Sequence, residues 1–116
     1  MAEDIQVNNY RFFVESVGST RVVSLSGFLD ERCEQAKIDF ADLIEDSPER
    51  IVVNMTQVTY LSSAGIALLV TVHSRCRKKG LQLSLAGLTP DSRELFRVTR
   101  LDKVLDIHDA LEDAIV

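Results

Sequence analysis

The chain has 116 residues, 46% of them hydrophobic and 27% charged, with a formal net charge of −5 and a sequence pI near 4.9. That length suits a single domain, 1–116, able to bury a core of its own. The acidic balance excludes a dedicated nucleic-acid binder, which carries a basic excess or stripe.

No apolar run approaches the ~20 residues of a membrane span. Met1-Ala2-Glu3-Asp4 shows no basic segment followed by an apolar one, so no leader is expected and the protein reads as cytoplasmic.

Tyr10 to Val14 reads as a strand. Val17-Gly18-Ser19-Thr20 supplies turn chemistry, and Arg21 to Ser26 resumes as a second strand, so the two form an antiparallel hairpin. Gly27-Phe28-Leu29-Asp30 ends it, with Asp30 placed to cap a helix reaching about Glu45. Cys33, Ala36, Phe40, Leu43 and Ile44 fall on one face of that helix. Ser47-Pro48-Glu49 breaks it. Ile51 to Met55 is β-branched and almost wholly apolar, as expected of a strand covered on both faces.

Val58 to Leu61 reads as a loop beside that strand, leading to Ser62 and Ser63 at the start of a second helix. The helix extends to about Lys79, with Gly80 as its stop. A hydroxyl there can cap the unpartnered N–H groups of the first turn, and the same place favours an anion. Gly65, Leu68, Leu69, Val72 and Cys76 form the core face. Ser63, Ala67, Val70 and Ser74 form a second stripe, small and apolar where solvated faces usually carry Lys, Glu or Gln. It is either ordinary surface or a contact surface. The basic run Arg75-Cys76-Arg77-Lys78-Lys79 complements the helix dipole.

Leu81 to Ala86 alternates, predicting a strand with one face in the core. Thr89 caps a third helix with Pro90 at its first position, and Leu95, Phe96, Val98 and Leu101 make its apolar side. Val104 to Ile107 is a short last strand. His108 to Val116 is a short helix with Leu111 and Ile115 inward. The order ββαβαβαβα predicts one α/β domain with a mixed sheet, parallel except for its opening hairpin.

Cys33 and Cys76 form no Cys-x-x-Cys and read as reduced core thiols. His73 and His108 have no ligand spacing to either, so no metal or cofactor is expected. The nucleotide-binding glycine loops are missing, and no Gly stands two places before Ser63 as a nucleophile elbow requires. The chain therefore reads as a binding module rather than an enzyme.

Taken together, these segments resemble the STAS domain family, and within it the bacterial anti-sigma factor antagonists. Gly27-Phe28-Leu29-Asp30 is similar to the family's Gly-x-(Leu/Ile)-Asp after the second strand. Ile51 to Met55 followed by Val58 to Gly65 is similar to its central strand and Asp-Ser-x-Gly loop. Leu95-Phe96 and Leu101 to Val104 are similar to its C-terminal pattern.

The resemblance implies that the unphosphorylated protein binds an anti-sigma factor that is also a serine kinase, freeing the sigma factor. Phosphorylation would reverse this and a serine phosphatase would restore it. The implied acceptor is Ser63. Asp30, Ser62, Ser63 and Ala64 would face the partner, and the small stripe of the second helix, read as a contact surface, adds Ala67, Val70 and Ser74. Ser62 stands where the family usually has Asp, which makes it a second candidate acceptor. The alternative is a STAS subunit of a larger signalling or transport complex that is not phosphorylated.

Overall fold

The computed structural model describes residues 10–31 and 34–115. Cys33, the Met1–Asp4 segment and Val116 lie outside the described residues. The elements are β1 (Arg11–Val17), β2 (Thr20–Leu29), α1 (Glu34–Glu45), β3 (Arg50–Leu61), α2 (Ser63–Lys78), β4 (Gln82–Ala86), α3 (Pro90–Val98), a 3-10 turn (Leu101–Lys103), β5 (Asp106–His108) and α4 (Leu111–Ile115). This is the expected mixed α/β order.

The five strands lie in one sheet in sequence order. β1 pairs antiparallel with β2, and the β2–β3, β3–β4 and β4–β5 pairs are parallel. Each parallel pair needs a crossover, which α1, α2 and α3 supply. The main core lies on the face that carries these helices. Val23, Leu25, Ile51, Val53 and Leu85 meet Phe40, Leu69, Cys76 and Phe96 there. Strand residues alternate between faces, so Val52 and Ala86 point to the back, where Ala114 and Leu111 of α4 cover them. Arg50 fixes that helix by donating to the carbonyls of Ala114, at 3.2 Å, and Ile115, at 3.4 Å.

The helix ends follow their local chemistry. Gly80 takes φ +77, its N–H reaches the Arg77 carbonyl, and the Leu81 N–H reaches that of Cys76. This is the paired-bond stop for which a glycine is favoured. Thr89 caps α3 through the Ser92 N–H at 3.2 Å, with Pro90 opening the helix.

Four expectations need correction. β2 continues to Leu29 instead of ending at Ser26. β3 runs unbroken to Leu61, so Val58 to Leu61 is strand and not loop. The helix start expected at Asp30 falls on residues 32–33, outside the described residues. β4 is buried on both faces, because α4 covers its back. Val98 points outward at 58% exposure, since α3 is a short helix whose single fully buried side chain is Phe96.

Candidate functional site

The parallel strands β2 and β3 end together, with Leu29 and Leu61 as register partners. One residue later come Asp30, 5% exposed, and Ser62. No loop intervenes between β3 and α2, so Ser62 must close the strand and open the helix at once. Its extended backbone (φ −95°, ψ 175°) is that of an N-cap.

Ser62 is engaged through both backbone groups and its side chain. Its N–H donates to the Leu29 carbonyl at 3.1 Å, and its carbonyl accepts from the Ile66 N–H at 2.9 Å. Its hydroxyl oxygen accepts from the Gly65 N–H at 3.3 Å. Ser63, one residue on, is the first helical residue and is exposed. Among the described residues no hydrogen bond holds its hydroxyl. The two adjacent serines thus have different situations, one built into the fold and one presented to solvent at the positive end of a sixteen-residue helix.

The neighbouring candidates separate in the same way. Ala64 is half-buried, and Ala67 and Ser74 are exposed. Val70 is half-buried and packs on the main core, so the second stripe of α2 is not one open surface. Ala64 and Ala67 instead line a groove of about 410 Å³ between α1 and α2, with Ile38, Leu68 and Thr71 beside them and Lys37 and Arg75 among its lining. The α1 side of this groove was not legible in the sequence, because no pattern within one helix states which neighbour it faces.

A second polar cluster lies on the back of the sheet. The Ser84 hydroxyl donates to Asp106 Oδ2 at 2.7 Å, and His108 Nε2 lies 3.0 Å from the same oxygen. Ser84 is 2% exposed. Hydroxyl and imidazole converge on one carboxylate oxygen, and among the described residues no hydrogen bond joins them to each other; the group serves to satisfy a buried polar residue. The alternation of β4 and β5 could have revealed it, since Ser84 and Asp106 are register partners.

The STAS domain family model matches residues 13–114. The chain belongs to the STAS domain family. It is 23% identical over 90 residues to a STAS-domain containing protein of Pseudomonas aeruginosa, covering 78% of this chain and 89% of that one. Among solved structures, it resembles an anti-sigma factor antagonist from Mycobacterium paratuberculosis at 25% identity, with a TM-score of 0.85 and coverage of 95% and 94%. It also resembles the anti-sigma factor antagonist SpoIIAA in its unphosphorylated form, at 25% identity and a TM-score of 0.76, covering 90% of this chain and 93% of that one. The phosphorylated form of SpoIIAA, a Bacillus cell fate determinant, gives a TM-score of 0.72. The family's five-stranded mixed sheet and helix order are those described above. Among the described residues no helix is long and apolar enough to cross a membrane.

Proposed function

We propose that this STAS domain is an anti-sigma factor antagonist that works by partner switching, with Ser63 as the switch. The observation that carries the reading is the free, exposed hydroxyl of Ser63 beside the engaged Ser62. The names of the solved relatives support it, one of them known in unphosphorylated and phosphorylated forms.

In this reading the unphosphorylated surface around Ser63, Ala64, Ala67 and Ser74 binds an anti-sigma factor that is also a serine kinase, and the sigma factor is released. Val70 supports that surface from beneath, and the low exposure of Asp30 suits a positioning role at the end of β2. A phosphate on Ser63 adds about −1.5 to −2 charges and three acceptor oxygens. The helix N-terminus tolerates them. A docked partner does not, because the phosphate must be stripped of water or meet like charge. A serine phosphatase resets the switch. The protein itself is a regulator and not a catalyst.

Ser62 in place of the family's usual Asp fits the same scheme. Ser and Asp are comparable N-caps, so the capping function is kept while a negative charge beside the acceptor is lost. That loss favours a second reading, a STAS subunit of a larger signalling or transport complex without reversible phosphorylation. Incubation with ATP and a kinase-type anti-sigma factor, followed by mass spectrometry, separates the two. The first reading requires phosphate on Ser63, binding lost in Ser63→Asp and binding kept in Ser63→Ala. An unmodified protein that co-purifies stably with other subunits supports the second.

A further inference from the structure

The open edge of a sheet is a template for another strand, and proteins usually guard it with proline, a bulge, brevity or charge. β5, at one edge, is three residues long. β1, at the other, runs seven residues without proline and in unbroken register with β2. Among the described residues β1 has a strand neighbour on one side only. Phe13 is 60% exposed, Val17 48% and Val14 38%. Phe13 lies opposite Ser24, on the back of the sheet, away from the part that α4 covers.

Which backbone groups face the open edge follows from the hairpin. Gly18 and Ser19 form a two-residue turn between Val17 and Thr20. In such hairpins the flanking pair exchanges both backbone hydrogen bonds. Arg11, Phe13, Glu15 and Val17 therefore direct their N–H and C=O groups to β2, and Phe12, Val14 and Ser16 direct theirs outward. Among the symmetric antiparallel registers near the middle of the strand, centring on Glu15 sets Glu15 against itself and Phe13 against Val17. Centring on Phe12 sets Arg11 against Phe13. Centring on Val14 sets Arg11 against Val17 and Phe13 against Glu15. Centring on Phe13 sets Phe12 against Val14 for backbone bonding, Phe13 against itself, and Arg11 against Glu15 on both sides.

Only the last register joins opposite charges and stacks the exposed aromatic on its own copy, in the closer, non-hydrogen-bonded positions. The edge charges that would otherwise repel a neighbour are here self-complementary. We propose that β1 pairs with β1 of a second copy of this chain, antiparallel and centred on Phe13. A seven-residue edge buries little area, so the dimer is weak and exchanges readily. This proposal stands apart from the reading of Ser63.

The test is sedimentation velocity on the full chain from about 10 µM to about 1 mM, for the wild type, Arg11→Glu, Glu15→Arg and a mixture of the two variants. Both altered positions are on the exposed strand, and circular dichroism confirms each variant is folded. Each single variant turns two attractive cross-strand pairs into repulsive ones and is expected to weaken dimerisation by about tenfold or more. In the mixture, a strand with acids at both positions meets a strand with arginines at both, so opposite charges face each other again. Wild-type dimerisation is expected to return. A wild-type chain that stays monomeric throughout overturns the proposal. So does a dimer that neither charge reversal weakens, or a mixture that dimerises no better than its components.

Discussion

Gly65 of α2 lies directly against the backbone of Leu29 at the end of β2. A β-carbon on Gly65 would overlap the Leu29 carbonyl oxygen and come within 2.9 Å of Leu61 Cδ1. The same oxygen accepts the Ser62 N–H. The first turn of α2 is thus docked on strand backbone, which cannot yield as a side chain can. Gly65→Ala is expected to cost about 1–3 kcal/mol by overpacking, read as a lower urea midpoint. Under the proposed partner switching, it should also reduce phosphorylation of Ser63 by displacing the helix start. A variant as stable as the wild type would contradict the close approach.

The two serines should separate in equilibrium unfolding. Ser62→Ala removes the cap and leaves the Gly65 N–H without its acceptor, at a cost of about 1 kcal/mol. Ser63→Ala removes an exposed hydroxyl and should stay within about 0.5 kcal/mol of the wild type. Equal losses in both variants would mean that Ser63 has a structural role as well.

Asp106 predicts an acid dependence. Burial acts to raise its pKa, but hydrogen bonds from Ser84 and His108, with the charges of His108 and Arg50, outweigh that and hold it below the ordinary value. A lowered folded-state pKa stabilises above the unfolded carboxylate value of about 3.9 and loses that contribution as pH falls through the folded value. Asp106→Asn should therefore be less stable than the wild type near neutral pH, with the gap closing as the pH falls through the carboxylate range. Urea midpoints across a pH series read this directly; a gap that does not change with pH would rule it out.

Cys76 is fully buried, and burial pushes its thiol up to about 11. The thiolate is the reactive form, so in a Cys33→Ser background a thiol reagent at pH 8 should label Cys76 only at the rate of unfolding. The raised value stabilises the fold below the unfolded thiol pKa of about 8.5, and that contribution declines as pH rises through the folded value. Rapid labelling of the folded protein would show a route to the thiol.

The opening hairpin, the order of elements and the caps at Ser62, Thr89 and Gly80 were legible because each rests on chemistry within a few residues. The length of β3 was not. Thr56, Gln57, Thr59 and Tyr60 are exposed, and a strand polar on the residues beyond its helix cover has the composition of a loop. Ser84 looked like a solvent-facing position for a different reason: the short last helix was legible, but nothing in its sequence says that it lies on the back of the sheet over Val52 and Ala86. At the candidate site, the sequence and its family resemblance singled out both serines and the small residues of α2. Their division into an engaged and a free hydroxyl depends on the Leu29 carbonyl, far upstream in the chain, which no local pattern reports.

The bond from Ser62 to that carbonyl also orders events in time. The β1–β2 hairpin closes locally, whereas β2 and β3 join residues as distant as Thr20 and Arg50 or Leu29 and Leu61, and such non-local pairing is slow. The setting of Ser63 includes the bond from Ser62 to the Leu29 carbonyl, so it exists only where those two strands are paired to their last residues. An enzyme that recognises the hydroxyl in this setting would act on the finished fold and pass over nascent or unfolded chains.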